Sequence, residues 1–145
     1  MLTVNVRPLF FALVALATSM AGFAQKQDIT INVSGPANVS DSSEHVNIGT
    51  YTKLGSGTLT LGNHLSADLI DVKAGTLLLG GSDLISDTTN MRLSGGTFAT
   101  GGNSERLGSL TLVANSSVDF GNGSSILHFD SSAVNIWARD RKSVV

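Results

Sequence analysis

The sequence predicts an all-β protein, a right-handed parallel β-solenoid built from short stacked strands. Three observations support this fold: a Gly-rich composition, alternating apolar and polar residues, and short strands that repeat. The 145 residues include 16 Gly and no Cys, with only 14% charged and 6% aromatic residues. Such a composition suits many short strands joined by tight turns. No segment after residue 24 has apolar residues at helical spacing over several turns, so we expect essentially no α-helix.

Charge and cysteine content exclude several classes of partner and site. The net charge of −2 is too small to direct the protein toward nucleic acid or an acidic membrane. We therefore expect no nucleic-acid partner. Because the chain has no Cys, it has no disulfides and no thiolate metal ligands. Its stability must come from packing and backbone hydrogen bonds.

Residues 1–24 are typical of a signal peptide. Arg7 supplies a positive n-region, residues 9–17 form an apolar h-region, and Gly22 and Ala24 are small residues of a cleavage site. A transmembrane anchor would need about 20 apolar residues, and this run is shorter. A buried first strand or helix of the domain is the other alternative. We expect export, with cleavage after Ala24 and an extracellular or cell-surface location.

The mature chain starts with a strand pattern. Apolar side chains at Ile29, Ile31 and Val33 alternate with polar ones, as in a half-buried strand. Residues 34–38 are strong turn formers, and we expect the polar stretch 39–45 to form a loop. We assign residues 25–52 to an N-terminal cap or first coil.

Four short strands of one type follow. Each has Gly, then a small hydroxyl residue, then an apolar residue, and they lie at Gly57–Leu61, Gly75–Leu79, Gly96–Ala99 and Gly108–Leu112. Alternating segments lie between them at residues 69–72, 91–93 and 117–120. The first two steps, 18 and 21 residues, are in the range of solenoid repeats. The third step is 12, which leaves the register after Gly96 open. We assign residues 53–137 to the repeat solenoid.

Stacking explains why such strands repeat. One coil cannot bury its inward side chains alone, whereas stacked coils form a continuous core and pair every strand with the next coil. We expect one interior column to contain Leu59, Leu77, Phe98 and Leu110. Turns often need a residue that tolerates positive φ, and Gly does so at little cost. We expect turns at Gly62, Gly80, Gly81, Gly95, Gly101 and Gly102. Asn63, Asn90, Asn103 and Asn122 suit the same positions and could stack their amides between coils.

Two of these strings resemble a known repeat. Residues 53–61 (Lys-Leu-Gly-Ser-Gly-Thr-Leu-Thr-Leu) and 72–80 (Val-Lys-Ala-Gly-Thr-Leu-Leu-Leu-Gly) are similar to the autotransporter-associated β-strand repeat. Residues 107–129 resemble the tail segment that follows such repeats. The resemblance implies a single-stranded, pectin-lyase-like parallel β-helix in a passenger-type bacterial protein, secreted or at the outer membrane. It implies a structural or adhesive role and supplies no catalytic residues.

The end of the chain departs from that family. Such proteins run to many repeats and end in an outer-membrane barrel or a sorting segment. Here residues 138–145 (Ala-Arg-Asp-Arg-Lys-Ser-Val-Val) concentrate charge abruptly, and we interpret them as a non-native tail on a truncated fragment. Membrane attachment would then lie in the missing part. We also expect self-association through the exposed end of the solenoid.

Residues able to bind a metal are scattered along the chain. His45, His64 and His128 lack a second His at the spacing of a metal site, so we expect surface or turn histidines. Gly80–Leu84 matches half of a calcium-binding nonapeptide but has no tandem copy. We predict no metal-binding residue and no cofactor.

Four acidic residues are candidates for a carboxylate pair that cleaves sugars: Asp68, Asp71, Asp83 and Asp87. Asp68 and Asp71 are three residues apart, so they should lie on opposite faces of a strand. We therefore interpret all four as solvated turn acids. No nucleophile elbow or phosphate loop occurs. We predict no catalytic residue.

Three functions stay open. The first is a structural or adhesive surface segment with no catalytic role, which could bind an unknown surface or carbohydrate ligand. The second is a secreted polysaccharide lyase or hydrolase on the same fold. The third is an ice- or surface-binding solenoid, suggested by outward Thr58, Thr60, Thr76 and Thr97. Only Thr58 and Thr60 form the Thr-x-Thr pattern that an ice binder would repeat.

Overall fold

The computed structural model describes residues 2–6 and 25–131, and these form an all-β parallel solenoid of about five coils. The strands are β1 (Leu2–Val6), β2 (Gln27–Val33), β3 (Asn38–Asp41), β4 (His45–Leu54), β5 (Thr58–Leu61), β6 (Leu65–Val72), β7 (Thr76–Leu79), β8 (Asn90–Leu93), β9 (Thr97–Ala99), β10 (Glu105–Leu112), β11 (Ser117–Asp119) and β12 (Leu127–Ser131). Consistent with the prediction, the described residues contain no α-helix. Accordingly, this part of the chain has no helix long and apolar enough to cross a membrane.

Two parallel sheets form the walls of the solenoid. The larger has seven strands in the order β1-β2-β4-β6-β8-β10-β12, and the smaller has five in the order β3-β5-β7-β9-β11. Successive strands along the chain alternate between the two sheets from β2 to β12. Every strand therefore forms its hydrogen bonds with neighbouring coils, which is the arrangement that the repeats predicted.

The strand β1 lies inside the predicted signal peptide. It pairs in parallel with β2, from Leu2 opposite Ile29 to Val6 opposite Val33. The two sequences follow the same pattern, Leu-Thr-Val-Asn-Val against Ile-Thr-Ile-Asn-Val. This pairing corresponds to the alternative in which the chain starts with a strand of the domain. The apolar h-region and the cleavage site lie outside the described residues, so the signal peptide stays a prediction.

The interior column of the smaller sheet contains Val39, Leu59, Leu77, Phe98 and Val118. The prediction that Leu110 belongs to this column is wrong, because Leu110 lies opposite Met91 in the larger sheet. Residues 108–112 carry the Gly-hydroxyl-apolar pattern on a strand of the other sheet. The true next copy begins at Ser117, which pairs with Thr97 one full coil earlier.

The larger sheet supplies the opposite interior wall. One of its inward columns consists of Ile29, Tyr51, Ile70, Met91 and Leu110, and a second consists of Ile31, Lys53, Val72, Leu93 and Leu112. Ile70, Val72, Met91 and Leu93 are fully buried. Burying each such side chain contributes about 1.5–3 kcal/mol. The core therefore runs along the whole stack rather than forming one compact centre.

The polar stretch 39–45 does not form a simple loop, contrary to the prediction. Residues 38–41 form β3, and the inward-facing Asp41 is only 2% exposed. A carboxylate is tolerated there because Tyr51 and His45 reach it from the neighbouring coil. Sequence periodicity could not show these partners, which are supplied by another strand.

The turns use Gly and Asn in two different ways. Among the predicted turn glycines, Gly95, Gly101 and Gly102 have positive φ. In the described part of the chain, the non-Gly residues with positive φ are Asn47 and Asp83. Three predicted Asn amides bridge coils instead. Asn63, Asn90 and Asn103 donate to the backbone oxygens of Ser42, Asp68 and Leu79 in the preceding coil, at 3.2 Å each.

Candidate functional surfaces

The outer face of the smaller sheet has a column of uncharged polar side chains, which we call the hydroxyl column. It consists of Asn38, Thr58, Thr76, Thr97 and Ser117, one residue from each coil in direct register. Adjacent members follow the roughly 4.8 Å spacing of paired strands. The two hydroxyl oxygens of Thr97 and Ser117 are 3.1 Å apart. The column therefore presents donors and acceptors at a regular interval.

The neighbouring outward column is mixed in character. It contains Ser40, Thr60, Leu78, Ala99 and Asp119. The Thr-x-Thr pattern along a strand is thus confined to β5 among these five strands, as the sequence indicated. The sequence pattern did not indicate Ser117 or Asn38, because neither is Thr and Gly108 resembles the start of the last copy. Register between coils, rather than the pattern along one strand, identifies the column.

Charged side chains cluster on the outer face of the larger sheet. Arg92 Nη2 donates to Asp71 Oδ2 at 2.6 Å, and Ser94 Oγ donates to Asp71 Oδ1 at 2.6 Å. Lys73 Nζ lies 3.8 Å from the same carboxylate. Burial by itself would raise the pKa of Asp71, but the hydrogen bonds from Arg92 and Ser94 hold that pKa below its ordinary value. Asp71 is therefore a buried, paired carboxylate, and its assignment as a solvated turn acid is wrong.

Asp68, Asp83 and Asp87 are all exposed, and two of them lie near cations. Asp68 is exposed and pairs with Lys26 of the first coil, and Asp87 lies 3.9 Å from Arg106. The inward residues Ala67 and Ile70 of β6 are three positions apart, so the strict alternation of inward and outward side chains fails between them. As a result, Asp68 and Asp71 both point away from the apolar core. The expectation of opposite faces is therefore wrong, yet each carboxylate faces a cation rather than the other acid.

A buried polar cluster joins the first two coils. The Tyr51 hydroxyl donates to Asp41 Oδ2 at 2.7 Å, His45 Nε2 lies 2.8 Å from the same oxygen, and the Ser43 amide donates to Oδ1 at 3.1 Å. Burial would raise the pKa of Asp41, but hydrogen bonds from His45 and Tyr51 hold it below its ordinary value. Burial and the nearby Asp41 raise the pKa of Tyr51 well above its usual range.

The cluster corrects the prediction for one histidine. His45 is only 6% exposed, so it is not a surface or turn residue. Asp41 and Tyr51 are also buried, at 2% and 0% exposure, so all three side chains are enclosed within the coils. The arrangement connects β3 of one sheet to β4 of the other. The three side chains satisfy one another's hydrogen-bonding groups in an interior whose columns are otherwise apolar.

Lys53 is a second buried polar residue in an apolar column. It lies in register between Ile31 and Val72, and its ammonium donates to the carbonyl oxygens of Leu54 and Gly55 at 2.8 Å and Ala74 at 3.0 Å. Burial lowers the pKa of Lys53 to about 8. The side chain therefore ties together two successive turns between the sheets.

Glu105 has the equivalent role near the other end. Its Oε2 accepts hydrogen bonds from the backbone amides of Leu84 and Ile85 at 2.9 and 3.1 Å, and its Oε1 accepts one from the backbone amide of Arg106 at 3.1 Å. Burial raises the pKa of Glu105 despite these bonds. The contact fixes the segment that carries the partial calcium motif Gly80–Leu84.

The described part of the chain holds no group of three or more His, Asp or Glu side chains that could bind a metal ion. His64 is half-buried in the turn between β5 and β6, and His128 is exposed on β12. The three histidines thus lie in three different coils or turns.

Comparisons with known proteins give no relative for this chain. No protein-family model matches it, and neither the curated proteins nor the solved structures include a match. The resemblance to the autotransporter-associated repeat therefore rests on sequence motifs alone, chiefly those at residues 53–61 and 72–80. The parallel solenoid itself rests on the register of the two sheets.

Proposed function

We propose that this chain is a structural and adhesive β-solenoid segment of a secreted or cell-surface bacterial protein. The observation that carries the proposal is the hydroxyl column, an uncharged polar stripe held in register across five coils. We also propose that the coils wind right-handed in the pectin-lyase-like manner and belong with autotransporter-associated repeats. These finer assignments are supported by the sequence resemblance.

The structural part of the proposal follows from the stack. Neighbouring coils share two parallel ladders and a continuous core, so the shape propagates along the solenoid axis as in other repeat proteins. Lys53 and Glu105 add hydrogen bonds between coils at the turns. A segment of this kind holds its outer faces in a fixed arrangement, which is what a spacer or a binding surface requires.

The adhesive part follows from the chemistry of the column. Hydroxyl and amide groups can donate and accept hydrogen bonds without a charge to desolvate, which suits a neutral, hydroxyl-rich ligand such as a polysaccharide. A regular spacing lets several groups contact a repeating ligand at once. Weak single contacts then add through multivalency.

Replacing the hydroxyls tests this proposal. The triple variant Thr58→Val, Thr76→Val and Thr97→Val keeps β-branched side chains and removes three hydroxyls of the column. The matched control is Thr52→Val with Thr111→Val on the larger sheet. Binding is measured by depletion of the protein onto insoluble cellulose, chitin and pectin. We expect the parent chain and the control to bind at least one of them, and the triple variant to bind about tenfold more weakly.

Two results would overturn the proposal. A parent chain that binds none of the three polymers, or a triple variant that binds as well as the control, removes the adhesive role of the column. Release of new reducing ends or unsaturated sugars from the polymers would instead support the alternative, a polysaccharide-active hydrolase or lyase.

A further inference from the structure

The turn between β11 and β12 contains the single Asn-Gly pair of the sequence, Asn122-Gly123. Both residues are exposed. The two ends of the turn are fixed to the preceding coil: the Phe120 carbonyl oxygen accepts a hydrogen bond from it at 3.1 Å, and the Ile126 amide donates one to it at 3.0 Å. The Asn-Gly pair therefore lies at the tip of an exposed turn that is held at both ends.

The corresponding turn one coil earlier contains an Asn that is held firmly. The side-chain amide of Asn103 donates to the carbonyl oxygens of Leu79 and Thr100 at 3.2 and 3.0 Å. The next backbone amide, that of Ser104, donates to Ser82 Oγ at 3.0 Å. Neither the side chain of Asn103 nor the backbone nitrogen that follows it is therefore free to move toward the other.

Asn122 and Gly123 have no such contacts. Among the described residues, neither the Asn122 side chain nor the Gly123 backbone amide has a hydrogen-bond partner. Gly123 also has φ of 133°, a conformation that favours Gly, and it has no Cβ to shield its backbone nitrogen. The side-chain carbonyl carbon of Asn122 can therefore approach this nitrogen without breaking a hydrogen bond of the fold.

We propose that Asn122 is a site of spontaneous deamidation in the folded protein. Asn is among the thermolabile side chains of proteins. The Gly123 nitrogen attacks Cγ of Asn122 and forms a C–N bond, and the side-chain nitrogen leaves as ammonia, taking up the proton of the Gly123 amide. Water then opens the resulting succinimide ring to give aspartate or isoaspartate, with no change of oxidation state.

The reaction changes both the charge and the backbone of the turn. A carboxylate replaces a neutral amide, so the net charge at pH 7 goes from −2 to −3. In isoaspartate the backbone passes through the former side chain and is longer by one methylene. The turn lies outside the hydroxyl column, so this inference is independent of the adhesive function.

Incubation of the full chain at mildly alkaline pH, followed by mass spectrometry of proteolytic fragments, tests the site. Base favours loss of the Gly123 amide proton and so favours the attack. Asn115 is a matched control within the same protein, because it is exposed like Asn122 but precedes Ser116. We expect loss of the Asn122 amide, while Asn115 and Asn103 keep theirs over the same period.

Two variants separate the role of glycine from that of the fold. Ser116→Gly creates a second exposed Asn-Gly pair, so Asn115 should then lose its amide as readily as Asn122. Ser104→Gly places Gly after the held Asn103, and we expect that amide to persist in the folded chain and to be lost in urea. Melting followed by circular dichroism verifies that each variant is folded before incubation.

Three results would overturn the inference. A folded parent in which Asn122 keeps its amide as long as Asn115 shows that the turn does not permit the attack. Loss at Asn122 in urea but not in the folded chain shows that the fold protects this residue. Loss at Asn103 in folded Ser104→Gly at the rate of Asn122 shows that the freedom of the Asn122 side chain does not select the site.

Discussion

The Tyr51 hydroxyl donates a 2.7 Å hydrogen bond to the Asp41 carboxylate across the interior of the solenoid. Tyr51 belongs to the second coil and the larger sheet, whereas Asp41 belongs to the first coil and the smaller sheet. His45 contacts the same carboxylate oxygen at 2.8 Å. The first two coils are therefore joined by a specific polar contact in addition to their ladders and apolar packing.

Removing that hydroxyl should destabilise the fold. Tyr51→Phe keeps the aromatic ring but deprives the buried Asp41 of a donor, so we expect the free energy of unfolding to fall by about 1–3 kcal/mol. Urea denaturation measures the change. Ser40→Ala, on the exposed face of the same strand as Asp41, is the control and should change stability by less than about 0.5 kcal/mol. Equal effects of the two substitutions would show that the buried bond contributes nothing specific.

Acid should weaken the same contact. The pKa of Asp41 is below its ordinary value in the folded chain, so the stability that its carboxylate confers is present above the unfolded pKa of about 3.9. That stability is lost as the pH falls through the lower, folded pKa. We expect the parent to lose more stability than Asp41→Asn between pH 5 and pH 3. Glu105 titrates in both proteins and cancels in the comparison, and parallel curves for the two would contradict the assignment.

The buried ammonium of Lys53 should stabilise the fold through its hydrogen bonds to three carbonyl oxygens. Lys53→Met fits the apolar column but leaves the carbonyl oxygens of Leu54, Gly55 and Ala74 without that donor, so we expect a loss of about 1–3 kcal/mol by urea denaturation. Lys26→Met removes an exposed ion pair and should cost at most about 1 kcal/mol. A Lys53→Met variant more stable than the parent would show that the cost of burying the ammonium exceeds its hydrogen bonds.

The glycine of the repeat is required by close approach between coils. A Cβ at Gly57 would lie 2.5 Å from the carbonyl oxygen of Ala37 and 2.6 Å from Val33 Cγ1. Gly57→Ala should therefore cost about 1–3 kcal/mol. At Gly81 the nearest atom would be 3.7 Å away, in Leu84, so Gly81→Ala should be nearly neutral. Thermal melting measures the stability of both variants. Equal melting temperatures would contradict the close approach of neighbouring coils at Gly57.

The solenoid could be predicted from the sequence because the Gly-Thr-Leu strand pattern is short and repeats along the chain. The strands at 58–61 and 76–79 occur where the Gly-Thr-Leu pattern indicated, and they pair in direct register. After Gly96 the sequence left the register open, and Leu110 was predicted in the wrong column because Gly108-Ser-Leu resembles the same pattern but belongs to the other sheet. The buried positions of Asp41 and Asp71 were also missed. Both depend on partners about 10 to 23 residues away, which periodicity along one strand cannot show.

The register of the last coil tests the central claim, a column of polar residues that continues from coil to coil. The chain has no Cys, so paired substitutions report proximity without background. Thr97→Cys with Ser117→Cys places two thiols on adjacent strands about 4.8 Å apart, within the range that a disulfide spans. Thr97→Cys with Ser109→Cys tests the alternative register set by Gly108.

After mild oxidation, mass spectrometry of proteolytic fragments measures both crosslinks. We expect an intramolecular disulfide between positions 97 and 117 in the first variant and none in the second. A disulfide between positions 97 and 109, with none between 97 and 117, would contradict it.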